Sequence, residues 1–211
     1  MKKTRGLVYG IGYSNDGKYK KTKDYTNQNG HTIPTPSYRV WVEMLKRCYD
    51  TKYQLHKPTY KDCSVCEEWL NYQKFAQWYE ENYYEVNDNE VMRLDKDILV
   101  KGNKIYSPQT CIFVPNNINV MFTSCKTVRG DLPIGVSYNK QGKKHYRARM
   151  NNWIIGNKRE DYGTYFTPQE AFEVYKYHKE QLIKQVADKY KNQIPQQLYD
   201  ALYNYQVEIT D

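Results

Sequence analysis

Three short stretches of the chain carry side chains whose types and spacing could do chemistry. Lys144-His145-Tyr146-Arg147-Ala148-Arg149-Met150 reads as a β-strand. Its period of two puts Tyr146, Ala148 and Met150 on one face, and His145, Arg147 and Arg149 on the other. An arginine fork can grip a guanine edge, whereas a lysine acts mainly as a point charge on phosphate. The bland alternative is an ordinary solvated sheet face. Asp95-Lys96-Asp97 sets an ammonium between two carboxylates at the end of a predicted strand. Those carboxylates favour the charged form of Lys96, and a lysine with a pKa of about 10.4 is a poor base at neutral pH. Taken structurally, the triplet is a surface charge cluster. Cys63-Ser64-Val65-Cys66 has the spacing of half a zinc knuckle, which Cys48, Cys111 or Cys125 could complete. No second such pair exists, no histidine lies three to five residues from a cysteine, and Val65 and Trp69 have the look of core. The pattern argues against structural zinc.

The elements that must position these groups follow from periodicity. Residues 6–30 are rich in Gly, Tyr, Lys and Asn, reading as a short strand at Leu7-Val8-Tyr9, a turn at Asn15-Asp16-Gly17 and then a mobile basic segment. From Ser37 the period becomes helical, with Tyr38, Trp41, Leu45, Cys48 and Tyr49 on one face. A second helix is predicted over about Glu67 to Asn82, its stripe formed by Val65, Trp69, Tyr72, Phe75 and Trp78. Residues 91–123 read as short strands and turns ending in a short helix after Pro115. Beyond Gly135-Val136-Ser137-Tyr138 and the Lys144–Met150 strand, a third strand is predicted at Trp153-Ile154-Ile155, or nearer Tyr162 to Phe166. Thr167-Pro168-Gln169-Glu170 is a capping box with proline at the first helical position. The helix after it places Ala171, Phe172, Val174, Tyr175, His178, Leu182 and Val186 on or near one side. A last helix, about Pro195 to Tyr205, presents Leu198, Ala201, Leu202 and Tyr205, for packing on this module or for a dimer contact. The expected class is α+β, with a three-stranded antiparallel sheet packed on one long helix near the C-terminus.

Charge is distributed in blocks. Residues 1–61 hold 13 Lys/Arg against 4 Asp/Glu, residues 62–131 hold 7 against 11, and residues 132–166 hold 7 against 2. Two basic blocks therefore flank an acidic middle, and basic patches attract polyanions through phosphate neutralisation and counterion release. The 23 tyrosines suit a wet, polar partner, since each ring packs while its hydroxyl reaches out. No apolar run is long enough for a signal peptide or a membrane span. Five cysteines, an odd number, argue against a secreted disulfide scaffold and for a reduced, cytosolic setting.

Two resemblances sharpen these expectations. Gly135-Val136, Tyr146-Arg147-Ala148-Arg149, Gly163-Thr164-Tyr165 and Thr167 to Ala171 with Tyr175 together resemble the plant ethylene-response-factor (APETALA) type of DNA-binding domain, which also occurs in phage and mobile-element nucleases. That resemblance implies a sheet face in the major groove of duplex DNA. Carried over by position, it makes Arg147, Arg149 and Trp153 the DNA-facing residues, with Lys143, Lys144 and Lys158 on phosphates. The plant pattern has more Trp and Arg on the sheet than this chain has.

Tyr38-x-x-Trp41-x-x-Met44-Leu45-x-Arg47-Cys48-Tyr49, Val65-x-x-x-Trp69, Leu94-Asp95-Lys96-Asp97, Tyr106-Ser107-Pro108, Cys111 and Asn119 form a series that resembles phage-encoded homing endonucleases of the His-Asn-His (HNH, or His-Me finger) class. The implied organisation is a basic arm at 1–36, an HNH-like nuclease domain at 37–131 and the DNA-binding module at 132–211. The resemblance further implies Asp95 and Asn119 as ligands of one Mg²⁺ (or Mn²⁺), to which hard oxygen donors are suited. It puts Lys96 where the family has its general-base histidine, and Gln109-Thr110 where it has the asparagine that orients that base. Lys96 could instead stabilise the pentavalent phosphorus, with Asp97, His31 or His56 as base; otherwise cleavage has been lost. Arg47 and Arg93 are further phosphate candidates. The expected activity is metal-dependent hydrolysis of duplex DNA, with an inert DNA-binding regulator or inhibitor as the alternative. RNA binding through stacked tyrosines is a third reading.

Overall fold

A computed structural model describes residues 6–87, 89–122, 130–152, 156, 158–209 and 211. The fold is mixed α+β, and the chain divides into two compact units. One comprises Met1–Glu85 with Leu94–Phe113, the other Val86–Arg93 with Val114–Asp211.

The first unit is organised by its aromatic side chains. Strands β1 (Thr22–Thr26) and β2 (Thr32–Pro34) form an antiparallel hairpin. The basic segment expected to be mobile is therefore built into structure. Asn27 closes the turn, its side chain accepting from the amides of Asn29 and His31. Helix α1 (Pro36–Tyr49) starts where Thr35 caps it and Pro36 presets the first turn. Its stripe buries Trp41, Met44, Leu45 and Cys48. Asp50 ends α1 and caps α2 (Thr51–His56), accepting from the amides of Lys52 and Tyr53.

The helix expected over about Glu67 to Asn82 is interrupted. A 3-10 turn covers Glu67–Leu70, Asn71 is extended, and α3 runs over Tyr72–Asn82. The cause lies upstream. Tyr13 pairs with Asn71 in a parallel bridge, donating to the Leu70 carbonyl and accepting from the Tyr72 amide, both at 2.9 Å. These bonds replace the helical ones that residues 70–72 would otherwise make. The Asn71 side chain then caps α3. Trp41 donates from its indole to the Trp69 carbonyl at 2.7 Å, and Trp69, Phe75, Trp78 and Phe113 form a continuous ring cluster. Gly12 lies against this core; a Cβ there would stand 2.3 Å from Leu45 Cδ1.

Two pairs of short strands follow. β3 (Ser64–Val65) pairs in parallel with β5 (Ile105–Tyr106), and β4 (Met92–Asp95) pairs with β6 (Ile112–Pro115). After β6 comes the short helix α4 (Asn116–Asn119), as expected behind Pro115.

The second unit contains the three-stranded antiparallel sheet, in the order β7 (Val136–Tyr138), β8 (Tyr146–Asn152), β9 (Lys158–Tyr165). The later of the two positions considered for the third strand is thus the one occupied, though the strand begins earlier than Tyr162. Trp153-Ile154-Ile155 lies outside the described residues. Helix α5 (Pro168–Tyr190) packs on one face of the sheet, its start fixed by the Thr167–Glu170 capping box. Ala171, Phe172, Tyr175, Leu182 and Val186 are buried as the periodicity predicts, while Val174 and His178 are half-buried. His178 lies flat on Tyr162 at 3.8 Å. Ala148 is fully buried, small where the helix approaches, and Met150 is buried beside it. Gly135 has φ +74°, and a Cβ there would fall 2.0 Å from the Tyr175 ring, so the position demands glycine twice over. Helix α6 (Gln196–Tyr203) lays Leu198 and Leu202 on α5. Packing on its own module, one of the two roles weighed for this segment, is present. Among the described residues, no helix is long and apolar enough to cross a membrane.

Candidate functional site

Register in the second unit decides which side chains share the sheet face turned away from α5. On β8, Arg147, Arg149 and Asn151 alternate against the buried Ala148 and Met150. Ser137 is opposite Arg147 on β7, and on β9 Thr164, Asp161 and Arg159 are opposite Arg147, Arg149 and Asn151. Between Arg147 and Arg149, β9 advances three residues to two of β8, a bulge that contains Gly163 with φ +103°. The extra residue carries Arg159 to the arginine face. Lys158 pairs with Asn152 and so belongs by alternation to the α5 side of the sheet, although its side chain is exposed.

The two central arginines are braced by polar neighbours. Arg147 donates to Asn139 Oδ1 at 2.9 Å, and its Nε lies 3.4 Å from Asp161 Oδ2, within ion-pair distance but misaligned for a hydrogen bond. Arg149 Nε donates to Ser137 Oγ at 3.1 Å. Arg159 is exposed and forms no ion pair among the described residues. Lys143 and Lys144 are exposed in the β7–β8 loop, Lys144 resting over the Phe166 ring at 5.4 Å. Three guanidinium groups and one carboxylate therefore share the face. Trp153 lies outside the described residues.

In the first unit, the Asp95-Lys96-Asp97 turn is only partly a surface feature. Asp95 Oδ1 accepts from the amides of Asp97 (2.9 Å) and Ile98 (2.7 Å), an arrangement that makes the carboxylate the brace of its own turn. Burial, reinforced by the negative charge of Asp97, pushes its pKa up to about 6. The Lys96 side chain is buried at 8% exposure, its Nζ 3.0 Å from Asp97 Oδ2. Burial pulls the Lys96 pKa down, but Asp97 and the further negative groups outweigh it, and the net direction is upward. Lys96 is thus a fixed cation rather than a base. Asn103 clasps the turn from below, donating to the carbonyls of Lys96 and Ile105, both at 2.7 Å.

The carboxylates of Asp95 and Asp97 are oxygen donors of the kind Mg²⁺ takes, and Asp97 Oδ2 is already held by Lys96 at 3.0 Å. Asn119 sits in α4, in the second unit. Among the described residues, no three His, Cys, Asp or Glu side chains gather as a metal-binding group. His31 is exposed at the hairpin turn and His56 at the end of α2. Cys48, Cys63, Cys66 and Cys111 are free thiols; burial pushes Cys48 and Cys111 up to about 12, which keeps them protonated and inert. Cys125 lies outside the described residues. Arg93 donates to Asn116 Oδ1 at 3.1 Å, and no carboxylate pairs with it among the described residues.

Sequence reasoning missed Arg159, Asp161 and Asn103. Arg159 and Asp161 belong to a strand whose register depends on a bulge, and Gly163 was the one local sign of it. Gly102-Asn103 carried a turn signal but nothing to say what the amide would hold. No protein-family model, curated protein or solved structure matches this chain.

Proposed function

We propose that this chain binds duplex DNA through the outer face of the β7–β8–β9 sheet. One observation carries the reading: Arg147, Arg149 and Arg159 lie in register on the face opposite α5, two of them held in place by Asn139 and Ser137. A two- or three-stranded ribbon fits the major groove, and braced guanidinium forks can meet guanine edges or phosphates there. Bracing matters because it lowers the side-chain entropy lost on binding. Lys143 and Lys144 extend the positive surface at the loop and belong with phosphates.

The test is a mobility shift with the full chain on its native flanking DNA, comparing wild type with Arg147→Ala/Arg149→Ala/Arg159→Ala. The triple variant should lose at least about tenfold in affinity, and its log affinity against log salt should be shallower by about 2–3. Unchanged affinity and slope would remove the sheet from the interface.

A second reading, metal-dependent cleavage of that DNA, is favoured by the under-compensated Asp95 beside Asp97. Asp95 and Asp97 would hold a hydrated Mg²⁺ or Mn²⁺, which when bound supplies Lewis-acid chemistry and an acidified water. Lys96, charged and clamped by Asp97, would offset negative charge gathering on phosphorus and would move no proton. Incubation of the protein with plasmid and native flanks in Mg²⁺, Mn²⁺ or EDTA decides it. Nicking that requires the metal and disappears in Asp95→Ala establishes an endonuclease. A shift without cleavage under any metal leaves a DNA-binding protein with an inert centre.

A further inference from the structure

Arg47, in the last turn of α1, is half-buried and has no carboxylate within ion-pair distance among the described residues. A guanidinium has five N–H donors. A single hydrogen bond to an acceptor, from Nη1 to the Tyr106 hydroxyl at 3.4 Å, is found for it among the described residues. Nε and Nη2 have no hydrogen-bond partner among the described residues.

The surroundings hold this group rigidly. The guanidinium lies over the Tyr60 ring at 5.6 Å, and Tyr53 packs on Tyr60 at 6.0 Å. Tyr106 is buried at 1% exposure, so its hydroxyl is a fixed acceptor. Gln54 ties the Tyr-bearing segment to the helix end, donating from Nε2 to the carbonyls of Arg47 (3.1 Å), Cys48 (2.7 Å) and Tyr60 (3.3 Å). Lys96 differs in having its carboxylate supplied by Asp97. Stacking and the helix C-terminus stabilise Arg47 in part.

We propose that Arg47, framed by Tyr60 and Tyr106, is a seat for a phosphate-class oxyanion, met in use as a phosphodiester of the DNA backbone. The nucleic-acid part of the proposal rests on the DNA-binding reading above; the oxyanion seat does not. A guanidinium edge matches two phosphate oxygens at once, and pre-orientation by the tyrosines leaves little side-chain freedom to lose.

The experiment follows the Arg47 Nε–Hε resonance of the full chain, assigned by its absence in Arg47→Lys. Inorganic phosphate is titrated against chloride at constant ionic strength. A saturating shift of that resonance is expected with phosphate and not with chloride. Duplex affinity is measured in parallel: Arg47→Gln should weaken it by about tenfold and lower the salt slope by about 1. Arg47→Lys, which keeps the charge and loses the fork, should fall between. Should Arg47→Gln fail to fold, Arg47→Lys and the wild-type titration carry the test. The loss should persist in the Arg147→Ala/Arg149→Ala/Arg159→Ala background at lower salt, separating this seat from the sheet. Absence of a saturating phosphate shift overturns the seat, whatever the sheet does. An unchanged duplex affinity in Arg47→Gln overturns the backbone contact. Phosphate binding by a chain that binds no duplex at all would sink the DNA reading and retain the seat.

Discussion

Asp95 is where local geometry and charge pull hardest against each other. Its Oδ1 is needed by two amides, yet burial and Asp97 disfavour its ionised form and raise its pKa to about 6. The folded state thus binds a proton more tightly than the unfolded chain does. Stability contributed by that proton is present below about pH 4 and is lost as pH rises through about 6. Asp95→Asn keeps the acceptor and discards the charge. In the absence of divalent cations it should raise the unfolding free energy at pH 7.5 by an amount on the order of 2–3 kcal/mol, read as a higher thermal midpoint, and flatten the stability profile between about pH 4 and 6. A midpoint lower than wild type at pH 7.5 would show that the carboxylate stabilises the turn as an anion. Asp161 poses the opposite question on the sheet, since it neutralises part of the arginine face through Arg147. Asp161→Asn should tighten duplex binding about threefold or more and steepen its salt dependence, as read by fluorescence anisotropy. An unaltered affinity would mean that Arg147 does not meet DNA.

At the scale of elements, the second unit depends on one close approach and one cap. Gly135 cannot accept a side chain, both because its φ is +74° and because Tyr175 of α5 occupies the space. Gly135→Ala should therefore cost about 3 kcal/mol or more, combining left-handed strain with displacement of a buried ring. Urea unfolding would measure it, and a loss under about 1 kcal/mol would mean that β7 can shift away from the helix. Thr167→Ala removes the side-chain acceptor of the capping box and should cost about 1 kcal/mol. The capping box, the α1 stripe and the alternation of β8 were legible in the sequence because each is set by residues within one or two turns. The break at Asn71 was not, since its cause is Tyr13, distant in sequence and bonded to the flanking Leu70 and Tyr72 only through backbone atoms. The hairpin at Thr22–Pro34 escaped notice for a related reason: its strands are polar, and their alternation carries no apolar signal.

For the molecule as a whole, the blocks of charge acquire addresses. The C-terminal basic block becomes a sheet face and its adjoining loop, and the acidic middle includes the Asp95-Lys96-Asp97 turn of the other compact unit. Because the sheet arginines and Asp95 belong to different units, their effects on stability should be independent. Combining Asp95→Asn with Arg147→Ala/Arg149→Ala/Arg159→Ala should give a sum within about 0.5 kcal/mol of the separate changes. A larger discrepancy in a double-mutant cycle would reveal coupling between the two.

What the amino-acid order determined by itself was the local part: helix starts, helix faces, the alternation of Arg147 and Arg149 against Ala148 and Met150, and the pressure of two carboxylates on Lys96. Period and capping are properties of neighbouring residues, so they survive without a fold. Tertiary structure alone decided that Arg159 joins the arginine face, that Lys96 is buried and clamped, and that Arg47 meets tyrosines instead of a carboxylate. Each of those depends on register or on burial beside residues far along the chain. A one-residue bulge or an absent counter-charge leaves almost no local trace, yet it fixes which charges face outward and which are left for a ligand to satisfy.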